Sequence, residues 1–494
     1  MTLLPGSDEI ELKLDVDPGS LSALEAVPLL AGVAARSRQQ SSTYFDTPAQ
    51  ALRGAGLSLR IRETAGRRVQ TIKVDAGAAA GLFARREWEC DVAGDAPDLG
   101  GANEALSALI PGKAPLDLRP AFVTEVNRTI WDVTLEGSRV ELVLDEGRIV
   151  CGERIATISE IELELAEGKP AALFAIARAI AAHLPVRAGV LTKSERGYLL
   201  LDNREARAAK AEPVRLTDDL RAADAFQAIV RSCLRQYRLN ETLLLATRAP
   251  EPLHQARVAL RRLRSALSLF KPLVEDDRFE HFRGELRTLA AVLGEGRNID
   301  VLVERLGDGP LGDRLRSARE EVYDRIADVL ARPDTRMLVL ALTEWSALGG
   351  WREAEETAPL RRRSAEKFGR DLLDRYRKRI RRRGKRIDRI DDEGRHEVRI
   401  LAKKLRYAAE FFSDLYNEKP APRRRKAFLA AIEQLQTALG NLNDQATGQG
   451  VLETLGLSPD ESAKLLGERV DRAAMLAQAV DAYDELVDVK RFWR

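Results

Sequence analysis

Apolar and charged residues alternate one for one over much of the first two hundred positions. Glu9-Ile10-Glu11-Leu12-Lys13-Leu14 sets the pattern, and it recurs in Leu57-Ser58-Leu59-Arg60-Ile61-Arg62, Arg85-Arg86-Glu87-Trp88-Glu89-Cys90 and Glu160-Ile161-Glu162-Leu163-Glu164-Leu165. Successive side chains of a strand point to opposite faces, so each segment has one charged and one apolar face. Many such strands predict a closed sheet with a charged lumen, its apolar outside covered by helices. A solvated face laced with cross-strand salt bridges fits the same spacing.

Short β-rich segments are predicted near 8–16, 41–47, 57–64, 69–75, 83–92, 121–134, 138–145, 148–151 and 157–166. Gly66-Arg67 and Glu136-Gly137 read as hairpin turns. Helical patterns interrupt at about 18–30 and 170–183, the second opening at Pro170. A polar stretch from Asp202 to Thr217 lacks an apolar stripe, and residues 205–216 within it are expected to link two domains, 1–204 and 217–494. Beyond it the period changes to helical: about 218–247, 252–271, 278–293, 298–306, 312–332, 335–348, 364–388, 392–416, 423–440, 443–454 and 460–490.

The helical part repeats itself. His254-Gln255-Ala256-Arg257-Val258-Ala259-Leu260-Arg261-Arg262-Leu263-Arg264, ending at Phe270, is echoed by His396-Glu397-Val398-Arg399-Ile400-Leu401-Ala402-Lys403-Lys404-Leu405-Arg406, ending at Phe412. Leu293-Gly294 before Arg297-Asn298-Ile299-Asp300 has its counterpart in Leu439-Gly440 before Asn441-Leu442-Asn443-Asp444. Two pseudo-repeats, about 217–350 and 351–494, follow.

Composition sharpens this picture. The 494 residues favour two or three domains, and 45% hydrophobic with 32% charged residues give a core beneath a heavily charged surface. The formal charge of +2 hides segregation, with acids on the early strands and Arg runs later. No apolar run is long enough to span a bilayer, since Met337 to Leu348 is short and carries Glu344. Asp8, Glu9 and Glu11 stand where a signal peptide would be apolar. Cys90, Cys151 and Cys233 are odd in number and widely spaced, which fits a reducing cytoplasm and forms no metal knuckle. Four histidines far apart argue against a His-rich metal site.

Helix positions 0, 3, 7 and 10 fall within roughly 80° of arc. His254, Arg257, Arg261 and Arg264 therefore make one stripe, and His396, Arg399, Lys403 and Arg406 make another. Stacked cations repel, and an ordinary solvated face relieves this with acids. That the stripe occurs twice without them points to a polyanionic ligand. Arg375 to Arg386 adds a third basic surface. Aromatics are only 5% of the chain, so stacking platforms for bases are scarce and nucleic acid is the less favoured ligand. In the first half, acids and bases in one lumen point to a metal–phosphate site, carboxylates taking Mg2+ or Mn2+ and Arg or Lys the phosphate oxygens. No GxxxxGK[ST] loop is present, which excludes a P-loop enzyme.

Glu9-x-Glu11-x-Lys13, Tyr44-Phe45-Asp46-Thr47, Leu59-Arg60-Ile61-Arg62, Thr71-Ile72-Lys73, Arg85-x-Glu87-Trp88-Glu89, Glu160-Ile161-Glu162 and Lys193-Ser194-Glu195-Arg196-Gly197-Tyr198, in that order, resemble the CYTH family of triphosphate tunnel metalloenzymes over about residues 5–202. The paired His-x-x-Arg helices resemble the CHAD family over about 215–490, and the tandem resembles bacterial CYTH–CHAD inorganic triphosphatases. The resemblance implies an α+β multidomain chain. Its first part would be an eight-stranded antiparallel β-barrel with flanking helices, and its second an all-α bundle with internal duplication.

The resemblance also implies roles. Glu9, Glu11, Asp145, Glu160 and Glu162 would hold Mg2+ or Mn2+, with Glu9, Glu11 and Lys13 as the catalytic set. Arg60, Arg62, Lys73, Arg85, Arg128 and Lys193 would grip the triphosphate. Tyr44 and Glu87 match family positions, and Glu164 continues the acidic alternation. His254, Arg257, Arg261, Arg264, His396, Arg399, Lys403 and Arg406 would bind inorganic polyphosphate. The expected reaction is hydrolysis of triphosphate to diphosphate and orthophosphate. Class IV adenylate cyclase, thiamine or RNA triphosphatase, and a non-catalytic polyphosphate- or RNA-binding scaffold remain as alternatives.

Overall fold

The computed structural model describes residues 7–74, 79–99, 109, 116–306, 309–454 and 472–494. Its contacts divide the chain into two compact units, Met1–Ala209 with Asp328–Leu348, and Lys210–Ala327 with Gly349–Arg494.

The first unit is a closed antiparallel barrel of β1 (Ser7–Asp15), β2 (Arg36–Asp46), β3 (Leu57–Thr64), β4 (Arg67–Val74), β5 (Leu82–Asp91), β6 (Arg119–Leu135), β7 (Ser138–Cys151) and β8 (Arg154–Glu167). They run in the order β5-β4-β3-β2-β6-β7-β8-β1, and β1 pairs with β5 to close the ring. A two-residue strand, β9 (Arg187–Ala188), extends the ladder along β1. The alternation foreseen in the sequence decides the layers. Leu12, Leu14, Leu142, Leu144, Ile161 and Leu163 face outward and are buried against helix α1 (Ala171–Ala181), whose Leu173, Phe174, Ile176 and Ile180 are fully covered. Each such side chain contributes about 1.5–3 kcal/mol on burial. A second apolar cluster, around Phe45, Leu59, Ile72 and Trp88, covers β2 to β5. Helix α2 (Lys193–Leu201) ends the contiguous part of this unit.

The nine expected strand segments form eight strands because 138–145 and 148–151 are one, β7. Gly147 looked like a break, but it lies inside the strand. A Cβ there would sit 2.0 Å from the Glu125 carbonyl oxygen, so glycine serves the close approach of β6. The first hairpin turns at Ala65-Gly66, one residue earlier than Gly66-Arg67. Ala65 and Gly66 both have positive φ, 49° and 83°, as a tight primed turn requires, and Arg67 already pairs with Thr64. The Glu136-Gly137 hairpin is as expected, with φ of 49° and 74°. The 18–30 pattern folds as 3-10 turns, Pro18–Ala26 and Pro28–Leu30.

The longer described helices of the other half are α3 (Ala222–Thr247), α4 (Pro250–Val274), α5 (Phe279–Leu306), α6 (Pro310–Ala331), α7 (Pro333–Leu348), α8 (Ala365–Arg383), α9 (Asp392–Phe411), α10 (Ala421–Thr454) and α11 (Arg472–Asp488). Of these, α7 packs within the first unit: Leu340 joins its core, and Thr343 Oγ1 donates to the Ala80 carbonyl at 2.8 Å. The duplication shows in the core of the second unit. Phe270, which closes the first repeat, lies 5.9 Å from Phe412, which closes the second, and 4.8 Å from Phe368 of α8. Segments 278–293 and 298–306 merge into α5, and 423–440 with 443–454 into α10, because Gly294 and Gly440 sit inside helices. The 460–471 part of the last expected helix, and the side chains of Asn443 and Asp444, lie outside the described residues.

Candidate active site

The register of the barrel brings the charged faces together. Lys13 lies opposite Glu162 and Glu11 opposite Glu164 across β1 and β8. Asp145 faces Glu160 on β8 and Arg128 on β6. Glu9 faces Arg85, Tyr44 faces Arg60, and Lys73 faces Glu87. The barrel encloses a cavity of about 210 Å³ lined by polar and charged residues. Eight of its residues are basic (Lys13, Arg38, Arg60, Arg62, Lys73, Arg85, Arg128, Lys193) and seven acidic (Glu9, Glu11, Glu87, Glu89, Glu141, Glu162, Glu164). This is the charged lumen, and not the solvated ladder.

Most of these charges are matched. Lys193 Nζ reaches Asp145 at 2.6 Å, Glu160 at 2.5 Å and Glu162 at 2.9 Å. Arg128 grips Asp145 through two bonds of 2.8 and 2.6 Å and reaches Glu162 at 2.8 Å. Lys13 bonds Glu162, Arg85 bonds Glu11, and Lys73 bonds Glu9 at 2.5 Å and Glu87 at 2.8 Å. Burial by itself would lower the Lys13 ammonium, but Glu11, Glu162 and Glu160 raise it to about 12. Burial would likewise raise Glu162, yet Lys13, Lys193 and Arg128 hold it well below the usual carboxylate range.

Two places are left unbalanced. Arg60 and Arg62 have no carboxylate within ion-pair distance among the described residues, and the Nε of each is buried without a partner. Burial and the neighbouring Arg60 and Arg128 push Arg62 down to about 10. Opposite in sign is Glu164, whose oxygens come within 4.8 Å of those of Glu9 and Glu11, themselves paired with Lys73 and Arg85. Burial, then Glu162, Glu9 and Glu11, push Glu164 up to about 7 despite Arg128. Asp145, Glu160 and Glu162 make a second such cluster, already matched by Lys13, Lys193 and Arg128. The five carboxylates singled out in the sequence thus divide between two clusters, and Glu164 joins Glu9 and Glu11.

Positioning comes from residues the strand pattern does not reveal. The Asp46 carboxylate accepts from the backbone N–H groups of Thr47 (2.7 Å), Leu52 (2.9 Å) and Arg53 (3.0 Å), and from the Tyr198 hydroxyl (2.7 Å). This ties α2 to β2. A capping box between Thr192 and Glu195 starts α2 at Lys193. Gly197 of α2 lies on the Phe122 ring, where a Cβ would come within 2.1 Å. Phe122 stacks on Tyr44 at 4.7 Å, and Tyr44 hydrogen-bonds Arg60. Although burial opposes it, Arg60 holds the Tyr44 hydroxyl below the ordinary tyrosine value. Arg38, Glu89 and Glu141 line the cavity without having been singled out as site residues. Arg38 lay beyond the expected start of β2, although the Arg36-x-Arg38-x-Gln40 alternation carried its signal.

In the second unit, the first stripe is gathered against α5. Arg257 is half-buried and pushed down to about 10 by burial, Arg261 and Arg297. Its Nη1 would lie 2.7 Å from a Cβ at Gly294, so a side chain there would make the guanidinium shift. Burial and Arg297 lower His254 below the ordinary histidine value, with Arg261 and Arg257 adding to this and Glu251 opposing. Arg264 stands near Arg287 and Arg283. The second stripe repeats the fit, Arg399 lying against Gly440 at 3.3 Å from its notional Cβ. It departs from the expectation of an acid-free stripe, because Arg406 pairs with Glu410 at 3.4 Å one helical turn on. His396 is exposed. Within the third basic stretch, Arg377 is spent on the Val487 and Val489 carbonyls at 2.7 Å each.

Comparison with known proteins matches residues 7–198 to the family model described as CYTH domain and residues 228–453 to that described as CHAD domain. An inorganic triphosphatase of Haemophilus influenzae is 32% identical over 198 residues, 39% of this chain and 54% of that protein, so the chain spans about half the length of this curated relative. The solved CHAD domain of the plant Ricinus communis is 28% identical, covering 57% of this chain and 97% of that one, with a TM-score of 0.47. A Hippeastrum protein, described as a putative adenylyl cyclase with a dominant triphosphatase activity, is 21% identical over 40% of this chain and 96% of its own, with a TM-score of 0.30. Among the described residues no helix is long and apolar enough to cross a membrane.

Proposed function

We propose, from a chain that joins a CYTH domain to a CHAD domain, that the barrel hydrolyses inorganic triphosphate with the help of a divalent cation and that the helical unit binds inorganic polyphosphate. The observation that carries the first part is a half-buried cationic pair, Arg60 and Arg62, with buried Nε atoms and no carboxylate partner among the described residues, in the same lumen as three crowded carboxylates. A phosphate chain supplies the charge that the first set lacks; a cation would share Glu9 and Glu11 with Lys73 and Arg85 and supply the charge that Glu164 lacks. At about 210 Å³ the cavity is smaller than the roughly 300–1,000 Å³ of drug-sized sites, which favours a bare triphosphate over a nucleotide. The triphosphatase relative supports the same substrate class.

Glu9, Glu11 and Glu164 offer hard oxygen donors of the kind that Mg2+ or Mn2+ takes from protein, and burial with the neighbouring Glu162, Glu9 and Glu11 raises Glu164 there. Asp145, Glu160 and Glu162 offer three more oxygens, at present bonded to lysine and arginine. A cation so bound would neutralise phosphate oxygens and make a water more acidic. The chain's own residues do the rest. Arg60 and Arg62 hold phosphate oxygens, and Tyr44 fixes the Arg60 fork. Lys73 and Arg85 reach the chain from the β4–β5 side, with Glu9 and Glu11 keeping them in place. Lys13, Arg128 and Lys193 keep Glu162 and Asp145 ionised, and Lys193 also holds Glu160 in place. Water adds to the terminal phosphorus as the anhydride P–O bond breaks, giving orthophosphate and diphosphate.

In the helical unit, Arg257, Arg261, Arg297 and His254 crowd one face, and a polyanion relieves their repulsion. The three free cysteines favour a reducing cytoplasm as the compartment. Phosphate release from tripolyphosphate, ATP and thiamine triphosphate, with and without Mg2+ or Mn2+, tests the barrel. Cation-dependent release from tripolyphosphate is expected, and full activity in chelator would sink the reading. Filter binding of long-chain polyphosphate against RNA at several salt concentrations tests the helices. Equal or tighter RNA binding would overturn polyphosphate as the ligand.

A further inference from the structure

Along one edge of β1 the partner strand changes at Lys13: Leu12 lies opposite Leu82 of β5, and Leu14 opposite Ala188 of β9. Two glycines outside those strands hold the backbone at the change. The Lys13 N–H donates to the Gly81 carbonyl at 2.9 Å, and the Lys13 carbonyl accepts from the Gly189 N–H at 2.8 Å. Both approaches are close: Gly81 has a φ of 99°, and a Cβ on Gly189 would lie 3.1 Å from the Lys13 Cβ. On the other edge Lys13 faces Glu162, to which its ammonium is bonded. What fixes Gly81 and Gly189 therefore fixes one side of Lys13.

Both glycines lead to residues 328–348, which follow six helices' length of chain after the barrel and yet pack within the first unit. Next to Gly81, the Ala80 carbonyl belongs to a fully buried residue and accepts from Thr343 Oγ1 of α7 at 2.8 Å. No other donor reaches it among the described residues. The Val339 carbonyl is as near to that hydroxyl, but the ladder of α7 already serves it, so the hydrogen is needed at Ala80. Two residues before Gly189, Arg187 donates through Nη1 to the Leu330 carbonyl at 2.9 Å. That carbonyl stands in the last turn of α6, where a helix has no partner of its own to offer. Glu344, next along α7, pairs instead with Arg178 of α1 at 2.7 Å.

Resting on the triphosphate reading above, we propose that residues 328–348 are a positioning element of the barrel's active site. They hold Lys13 through Thr343 and Ala80–Gly81 on one side, and through Leu330 and Arg187–Gly189 on the other. Thr343 and Arg187 act through Lys13 and do not line the cavity themselves. They fix the strand position from which the Lys13 ammonium holds Glu162, and a misplacement of about 1 Å at such a position can cost on the order of a hundredfold in rate. A barrel ending at residue 204 would lack both anchors.

The test compares Thr343→Val with Thr343→Ser in the full-length protein, by kcat and KM on tripolyphosphate and by amide hydrogen exchange at Lys13. Val keeps the shape and loses the hydroxyl, whereas Ser keeps the hydroxyl and loses a methyl group. Val should lower kcat about tenfold with little change in KM, and Ser should stay within about twofold of the wild type. The reverse order would mean that Thr343 only fills space, and would overturn the proposal. Arg187→Met should lower kcat severalfold and stands in if Thr343→Val does not fold. In a Lys13→Arg background, which keeps the charge beside Glu162, Thr343→Val should cost less than about threefold more; fully additive losses would show that Thr343 does not act through Lys13. Glu344→Gln is the control, since it breaks the pair with Arg178 and leaves both glycine segments anchored. It should leave kcat in place, and a loss equal to that of Thr343→Val would reduce the segment to a docking helix. Exchange at the Lys13 amide should quicken in Thr343→Val and not in Glu344→Gln, and unchanged exchange in both would sink the proposal. A wild-type protein that does not cleave triphosphate would instead remove the triphosphate reading, and the exchange result would still decide the anchoring.

Discussion

Lys193 in the barrel and Arg257 in the helical unit are both cations set among packed elements, and their surroundings differ in kind. Lys193 is buried among three carboxylates, Asp145, Glu160 and Glu162. Arg257 is half-buried against Gly294 with Arg261 and Arg297 for neighbours. The first is locally balanced, and removing it strands buried negative charge. The second is locally unbalanced, and removing it relieves repulsion. On the proposed function, the contrast separates charges that hold the fold from charges kept for a ligand. By the same standard Arg60 and Arg62 in the barrel group with Arg257.

Four changes break or sharpen this division. The largest effect is expected from Lys193→Met, which leaves a buried carboxylate cluster short of a partner and should cost about 3–5 kcal/mol in denaturant unfolding. Unchanged stability would mean that the cluster is wet or protonated. Next, Glu11→Gln should lower triphosphate hydrolysis at least about a hundredfold, beyond the 10–100-fold that loss of a supporting residue alone brings. A variant with near-normal kcat would separate Glu11 from any cation. Replacing Arg257 and Arg399 together by Gln should weaken polyphosphate binding about tenfold or more while moving stability by no more than about 0.5 kcal/mol. A loss of stability like that of Lys193→Met would erase the distinction. The smallest effect belongs to Tyr44→Phe, which deletes one hydrogen bond to Arg60. A three- to tenfold rise in KM is expected, from about 0.5–1.5 kcal/mol. No change in KM would show that Arg60 is held by packing alone.

The helical stripe also carries a pH signature. The His254 value is depressed by burial and Arg297, so between the depressed value and the ordinary 6.5 the unfolded chain binds more protons than the folded one. Stability from this group is therefore full above about 6.5 and falls as the pH drops. A bound polyanion reverses the sign by favouring the imidazolium. Polyphosphate should then bind more tightly from pH 7 to pH 5.5, and His254→Gln should flatten the curve. Titration calorimetry in two buffers of different ionisation enthalpy would count the proton taken up.

Much of the architecture was legible because period-2 alternation has a single outcome once one face is covered. Ile10, Leu12 and Leu14 must go under α1, and that sends Glu9, Glu11 and Lys13 into the lumen. Glycine misled the reading of continuity. Gly147, Gly294 and Gly440 lie inside continuous elements: at Gly147 the β6 backbone comes too close for a side chain, and at Gly294 and Gly440 an arginine packs against the helix. That information belongs to the partner element and is absent from the local sequence. The start of β2 was missed for a related reason: Arg36 to Gln40 is polar on both faces, and only pairing with β6 makes it a strand.

The sequence alone determined which residues share a face, that the chain holds a β part and a duplicated helical part, and which charges recur at the spacing of a lumen or a stripe. These are local periodicities, set by the geometry of one strand or one helix. The tertiary structure decided which charges are spent on one another and which remain free. It put Glu164 with Glu9 and Glu11, matched Asp145, Glu160 and Glu162 to two lysines and an arginine, left Arg60 and Arg62 without a counter-charge, and carried residues 328–348 into the first unit. The reason is electrostatic. Neutrality is satisfied across strands and helices that are far apart in sequence, and its strength depends on burial that no single segment has until the others close around it.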